Sequence, residues 1–172
     1  MTKQRLWLKR LGLLGLSLYS VSASADFYAG VLTSYSNAEY QDTTSSSFSE
    51  GNPFLLQAQA GYFINDYVAV EARYGTSVER SGGLAVDSLA SGFIKFNMPV
   101  TERVALYGLT GYSSLTIDKQ QAGSGKDQGF SFGIGMHYAL DQNNAVVFEF
   151  VDSVSETRAR LNAISLGFQH KF

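Results

Sequence analysis

Three side chains able to do nucleophilic and acid–base work stand close together in the last third of this 172-residue chain: His137, Glu149 and Ser165. Each sits in a stretch that alternates polar with apolar residues. A hairpin folded at Asp141–Asn144 is expected to bring His137 opposite about Glu149, and one folded across Asp152–Ala159 to bring Glu149 near Ser165. The residue types suit hydrolysis, but their order does not. In a nucleophilic triad the base touches the nucleophile and the carboxylate orients the base, whereas here the carboxylate takes the middle strand. The expectation is therefore that Glu149 and His137 satisfy each other inside a packed polar interior.

A second set is charged. Glu71 and Arg73 are two residues apart on one strand and share a face, so with Lys95, His137 and Glu149 they are expected to form an interior polar network of structural kind. A gate is the functional alternative, limited by the size of an eight-stranded interior, which is just wide enough for side chains to fill. His137 and His170 fall on opposite faces of their strands, which argues against a two-histidine metal site. Cysteine is absent. No phosphate loop, dinucleotide fingerprint or carboxylate pair at glycosidase spacing is present. No catalytic residue, metal or cofactor is expected.

These side chains need strands to place them, and a period of two recurs throughout. Eight segments are read, at about 27–36, 54–64, 67–77, 86–96, 103–115, 128–140, 145–151 and 160–172. They are joined alternately by short turns (Asn65-Asp66, Asn97-Met98-Pro99, Asp141–Asn144) and by longer polar stretches (Asn37–Pro53, Val78–Ala85, Thr116–Asp127, Asp152–Ala159). In the sixth segment Phe130, Phe132, Ile134, Met136 and Tyr138 oppose Ser131, Gly133, Gly135 and His137, and in the last Ile164, Leu166, Phe168, His170 and Phe172 oppose Ser165, Gly167, Gln169 and Lys171. Glu71, Arg73, Lys95, Glu149 and Lys171 all fall opposite the more apolar set. That is the pattern of an all-β, eight-stranded antiparallel up-and-down transmembrane barrel, apolar outside and polar within, where a Lys or Arg facing lipid at mid-membrane costs roughly 2–4 kcal/mol. The fourth and fifth segments leave their register open: Leu89 and Phe93 share a face with Lys95, and Leu106 competes with Tyr107 and Leu109 for the outside. A soluble eight-stranded barrel of the lipocalin type would need an apolar interior, and Gln57, Gln59, Ser131, Gly133, Gly135, Ser165 and Gly167 oppose that.

The first residues point to export. Lys3, Arg5, Lys9 and Arg10 precede the apolar run Leu11–Leu18 and then Ala23-Ser24-Ala25, so residues 1–25 read as a signal peptide cleaved before Asp26 and residues 26–172 as one barrel domain. Four of the 13 basic residues and none of the 15 acidic ones lie in that leader, so the mature chain carries 9 against 15, a net charge of −6. Nucleic acid and other polyanions are poor partners for such a surface. Aromatics make up 13 % of the chain, with 10 Tyr and 12 Phe, in keeping with interfacial girdles.

With the leader, the eight segments, YVAVEARYG (Tyr67–Gly75) and the terminal ISLGFQHKF in place, the mature chain resembles the small eight-stranded outer-membrane barrels of the OmpA-barrel and OmpX/Ail type over its whole length. The resemblance implies residence in the outer membrane of a Gram-negative bacterium among lipid and lipopolysaccharide, a monomer, no enzymatic activity, and insertion by the barrel-assembly machinery, which reads a final aromatic. Leu166, Phe168 and Phe172 are the assembly signal on that basis. It also implies extracellular loops for adhesion, host-factor binding or envelope integrity toward an unknown ligand, and Tyr40 and Phe48, beside Thr43–Ser47, make the first loop the best contact. The alternatives are a narrow gated channel and a lipid A hydrolase of the PagL type. That group's His-x-Ser spacing would require Ser at 139, where this chain reads His137-Tyr138-Ala139.

Overall fold

The computed structural model describes residues 27–41, 48–79, 81, 84–119, 123–153 and 159–172. The expected leader and the run Thr43–Ser47 lie outside the described residues. Nine strand segments follow in order: β1 Phe27–Gln41, β2 Phe48–Gly51, β3 Phe54–Phe63, β4 Val68–Ser77, β5 Leu84–Pro99, β6 Val104–Lys119, β7 Gly123–Ala139, β8 Asn144–Ser153 and β9 Ala159–Lys171. β2 and β3 both pair with β1 and are two pieces of one barrel strand interrupted at Asn52-Pro53. With β2 and β3 taken as one, each strand pairs antiparallel with its sequence neighbours, and β9 pairs back onto β1 from Tyr28↔Lys171 to Tyr40↔Ala159, closing an eight-stranded barrel. Closure gives both the first and the last strand a partner on each side, as lipid demands.

The three short turns share one device. Asn65 Oδ1 accepts from the N–H of Tyr67 and Val68 at 2.9 and 2.8 Å, Thr101 Oγ1 from Arg103 and Val104 at 3.2 and 3.0 Å, and Asp141 Oδ1 from Asn143 and Asn144 at 2.8 Å each. A side-chain oxygen at the first turn position takes the donors that the ladder leaves behind. The Asn144 amide and the Asn143 N–H hold the Asp141 carboxyl below the ordinary carboxylate range. One expectation shifts here. The turn placed at Asn97-Met98-Pro99 lies instead between Val100 and Val104, whose N–H and C=O are 2.8 Å apart, and Pro99 stays in β5 opposite Ala105. Proline is tolerated there because the strand is about to end.

At the other rim the strands outrun the expected ends. β6 continues to Lys119 and β7 begins at Gly123, so most of Thr116–Asp127 is a paired hairpin rather than a loop. β1 likewise reaches Gln41, and both proposed loop contacts lie in strands: Tyr40 pairs with Ser49 and Phe48 with Gln41, so they are not opposite each other. The sequence pattern marks the lipid belt, and hydrogen-bonded pairing does not stop where lipid does.

The faces are inside-out for a soluble protein, with Ile134 69 % exposed and Lys95 fully buried. The expectation of a polar lumen holds only for part of its length. Ala38, Leu55, Val86, Leu89, Leu115, Ile117 and Leu161 form a buried apolar cluster toward the long-hairpin rim, and Leu32, Phe93, Tyr107, Leu109, Val147 and Val151 form a second below it. The outer face of β6 changes character with no change of phase: Leu106 faces out and Tyr107 in, and farther up Leu115 and Ile117 remain buried while the outward positions are Ser114, Thr116 and Asp118. A wall that leaves the bilayer is wetted outside and must pack apolar residues inside, as a soluble barrel does. Burial settles the two segments whose register the sequence left open: Leu89, Phe93 and Lys95 all point inward, as do Tyr107 and Leu109.

Candidate functional site

The five charged and histidine side chains assigned to the lumen meet in it. Arg73 on β4 lies 2.5 Å from Glu71 on the same strand and reaches across to Glu149 on β8, its Nη1 donating to Oε1 and its Nη2 to Oε2, the latter at 3.0 Å. Counted around the wall, β4 and β8 are half a circuit apart, so this two-pronged contact spans the barrel. Lys95 on β5 donates to Glu71 Oε2 at 3.1 Å and to His137 Nε2 at 3.0 Å. An ammonium can only donate, so Nε2 accepts and the ring proton sits on Nδ1. Two carboxylates face a guanidinium and an ammonium, which balances formal charge within one desolvated cluster, the condition under which burial is tolerated.

Two tyrosines complete the cluster, and sequence reading missed both. Tyr28 donates to Glu71 Oε2 at 2.5 Å and Tyr107 to Glu149 Oε2 at 2.7 Å. The two arrangements are copies. Tyr28 pairs with Gly61, which pairs with Glu71; Tyr107 pairs with Gly135, which pairs with Glu149. Each phenol ring lies over the intervening glycine, where a Cβ would collide with ring atoms, and its hydroxyl reaches the carboxylate one strand farther on. Glycine is required at 61 and 135 by that close approach. The legible signal was a tyrosine set beside a glycine set beside a glutamate on three successive strands, visible only once the register is known. Lys95 Nζ also lies 4.2 Å from the centre of the Tyr107 ring, and Arg73 5.1 Å from that of Phe93.

The expected row of His137, Glu149 and Ser165 is not formed. Glu149 does stand opposite Ser165, but His137 pairs with Val147, two residues nearer the turn than expected. The cap from Asp141 fixes the hairpin so that Leu140 N–H bonds Asn144 C=O at 2.8 Å, which sets the register. The expected mutual pairing of Glu149 and His137 is likewise replaced: Glu149 takes Arg73 and Tyr107, and His137 takes Lys95. Ser165 Oγ instead meets Ser34 Oγ at 2.8 Å, in a layer where Gln57 also donates to Ser34 at 2.9 Å and Ser91, Ser113 and Ser131 are linked at 2.7 and 2.8 Å. His170 faces the other way, with Nδ1 2.8 Å from Asn144 Oδ1.

At the closing strand, Leu166 and Phe168 are exposed on the outer face. Phe172 N–H donates to Phe27 C=O at 3.0 Å, and its ring lies 5.5 Å from that of Phe27 and 4.8 Å from His170.

A closed eight-stranded barrel with an apolar exterior and a paired ionic interior is an integral protein of the bacterial outer membrane. The chain belongs to the outer membrane protein beta-barrel domain family, whose model matches residues 11–172. No curated protein sequence matches it. Among solved structures it is similar to Neisserial surface protein A (NspA), with a TM-score of 0.67 at 18 % identity over 88 % of this chain and 99 % of that one. It is also similar to Ail of Yersinia pestis, with a TM-score of 0.56 at 17 % identity over 86 % and 99 %, and to OprG of Pseudomonas aeruginosa, with 0.52 at 11 % over 86 % and 97 %. At these identities the likeness is one of fold.

Proposed function

We propose that this protein is a non-enzymatic outer-membrane scaffold that presents its long-hairpin rim to an external partner, in adhesion, host-factor binding or envelope integrity. The observation that carries the reading is the state of the lumen. Its charged groups are engaged with one another and the space toward the outer rim is filled with apolar side chains, so function is sought on the surface. Ail is named as an attachment invasion locus protein and has been solved with a heparin analogue, and attachment is the role carried across here. A sulfated polyanion is not the partner expected, because the mature chain is acidic.

The test compares cells displaying the wild type with cells displaying Tyr40→Ser plus Phe48→Ser. Adhesion to host cells and capture of serum proteins are expected to fall at least several-fold with barrel levels unchanged, and lipid A is expected to have the same mass with and without the protein. A protein-dependent loss of an acyl chain from lipid A would replace this reading with that of a hydrolase.

A further inference from the structure

The lipid-facing wall is not uniformly convex. Across β3, β4 and β5 the outer face carries Ala60, Ala72 and Gly92 in one cross-strand row, where the neighbouring row toward the short turns carries Tyr62, Val70 and Ile94 and the row on the other side carries Ala58, Tyr74 and Ala90. The result is a shallow groove of about 780 Å³ that runs on to Tyr112 and Phe130. That volume lies within the roughly 300–1,000 Å³ typical of small-molecule sites. A Cβ built at Gly92 would meet no other atom within 4 Å, so the groove is open above it.

Its course follows from strand tilt. Rows of paired residues run perpendicular to the strands, and strands in such barrels lean about 35–45° from the axis. The row Phe27↔Tyr62, Tyr62↔Val70, Val70↔Ile94, Ile94↔Thr110 therefore climbs as it goes round. Phe27 opens β1 at the short-turn rim and Tyr62 lies beside the turn at Asn65, whereas Phe130 stands near the middle of β7. The groove thus starts at the periplasmic edge and rises obliquely into the membrane.

We propose that it holds one acyl chain of a phospholipid drawn from the periplasmic leaflet. The groove is continuous with the bilayer-facing surface, so its occupant is apolar. A second copy of this chain fits poorly, because a concave patch facing itself across a two-fold axis encloses a void rather than filling it. A flexible chain entering at the low end can follow the oblique course. A rigid floor beside the wall of Tyr62, Val70 and Ile94, ending at Tyr112 and Phe130, then gives it dispersion contacts that a smooth wall lacks. Lipid A, anchored in the opposite leaflet, meets only the upper end.

The protein extracted from native membranes is to be examined by mass spectrometry in mild detergent, beside Gly92→Phe and Ala72→Phe, which fill the groove from its floor, and Ile164→Phe on the far wall as control. Heat-dependent gel mobility shows that each variant is a closed barrel. The expected result is one phospholipid retained per wild-type and Ile164→Phe barrel, with at least a five-fold loss of occupancy in both groove variants. Equal retention in all four, or none in the wild type, overturns the proposal. Retention of lipid A instead overturns the leaflet assignment, and a wild-type dimer that Gly92→Phe dissociates overturns the choice of occupant.

Discussion

At the scale of single residues, the lumen cluster is a closed set of donors and acceptors in which Arg73 has the most to lose. Its guanidinium is the sole described contact between the Glu71 and Glu149 sides that engages both carboxylates directly. Removing one partner of a buried pair leaves an uncompensated charge at about 3–5 kcal/mol, and here Glu149 loses the cation described against it while Glu71 keeps Lys95. Arg73→Ala is therefore expected to lower the urea midpoint of the refolded barrel far more than Glu79→Ala, whose side chain is exposed. Equal midpoints would mean that water reaches the cluster and solvates it. The inward placement of Glu71, Arg73, Lys95, His137 and Glu149 was legible from the period-two pattern, because each opposes large apolar neighbours. Their partners were not, since contacts across a lumen depend on register and barrel diameter, neither of which leaves a trace in local alternation. Tyr28 and Tyr107 went unread for a related reason: tyrosine suits an outer girdle as well as a lumen, and only the glycine opposite each decides.

At the scale of elements, the strands were read well where lipid bathes them and poorly above it. Alternation of the apolar-out kind ends where β5 and β6 leave the bilayer, so Thr116–Asp127 looked like a loop although it is mostly paired. The closing strand β9 shows a second division of labour. Phe172 is as exposed as Leu166, at 57 % against 56 %, so no extra burial marks it out. Its described ring contacts are with Phe27 and His170 at the barrel edge. Phe172→Ser is expected to refold in detergent at nearly wild-type yield, and, on our proposal that the assembly machinery reads this residue, to reach the outer membrane of cells at a small fraction of wild-type levels. Normal levels in cells would remove the assembly role, while failure to refold in pure detergent would assign Phe172 to packing.

At the scale of the whole molecule, closure of β9 onto β1 makes unfolding cooperative, since no strand can leave without exposing two ladders to lipid. The mature protein is expected to begin at Asp26, to fractionate with the outer membrane, and to migrate faster on a gel when unheated than when boiled. N-terminal sequencing and a paired heated and unheated lane check all three, and recovery from the soluble periplasm would contradict them. The Arg73–Glu149 contact adds a mechanical property to this closed wall. Because it joins strands half a circuit apart, it acts as a crossbar along one diameter of the tube, while the perpendicular diameter, from β1 to β6, is held by the softer contact of Leu32 with its apolar neighbours. Lateral pressure from the bilayer should then deform the tube unequally, flattening it more readily along one axis than the other.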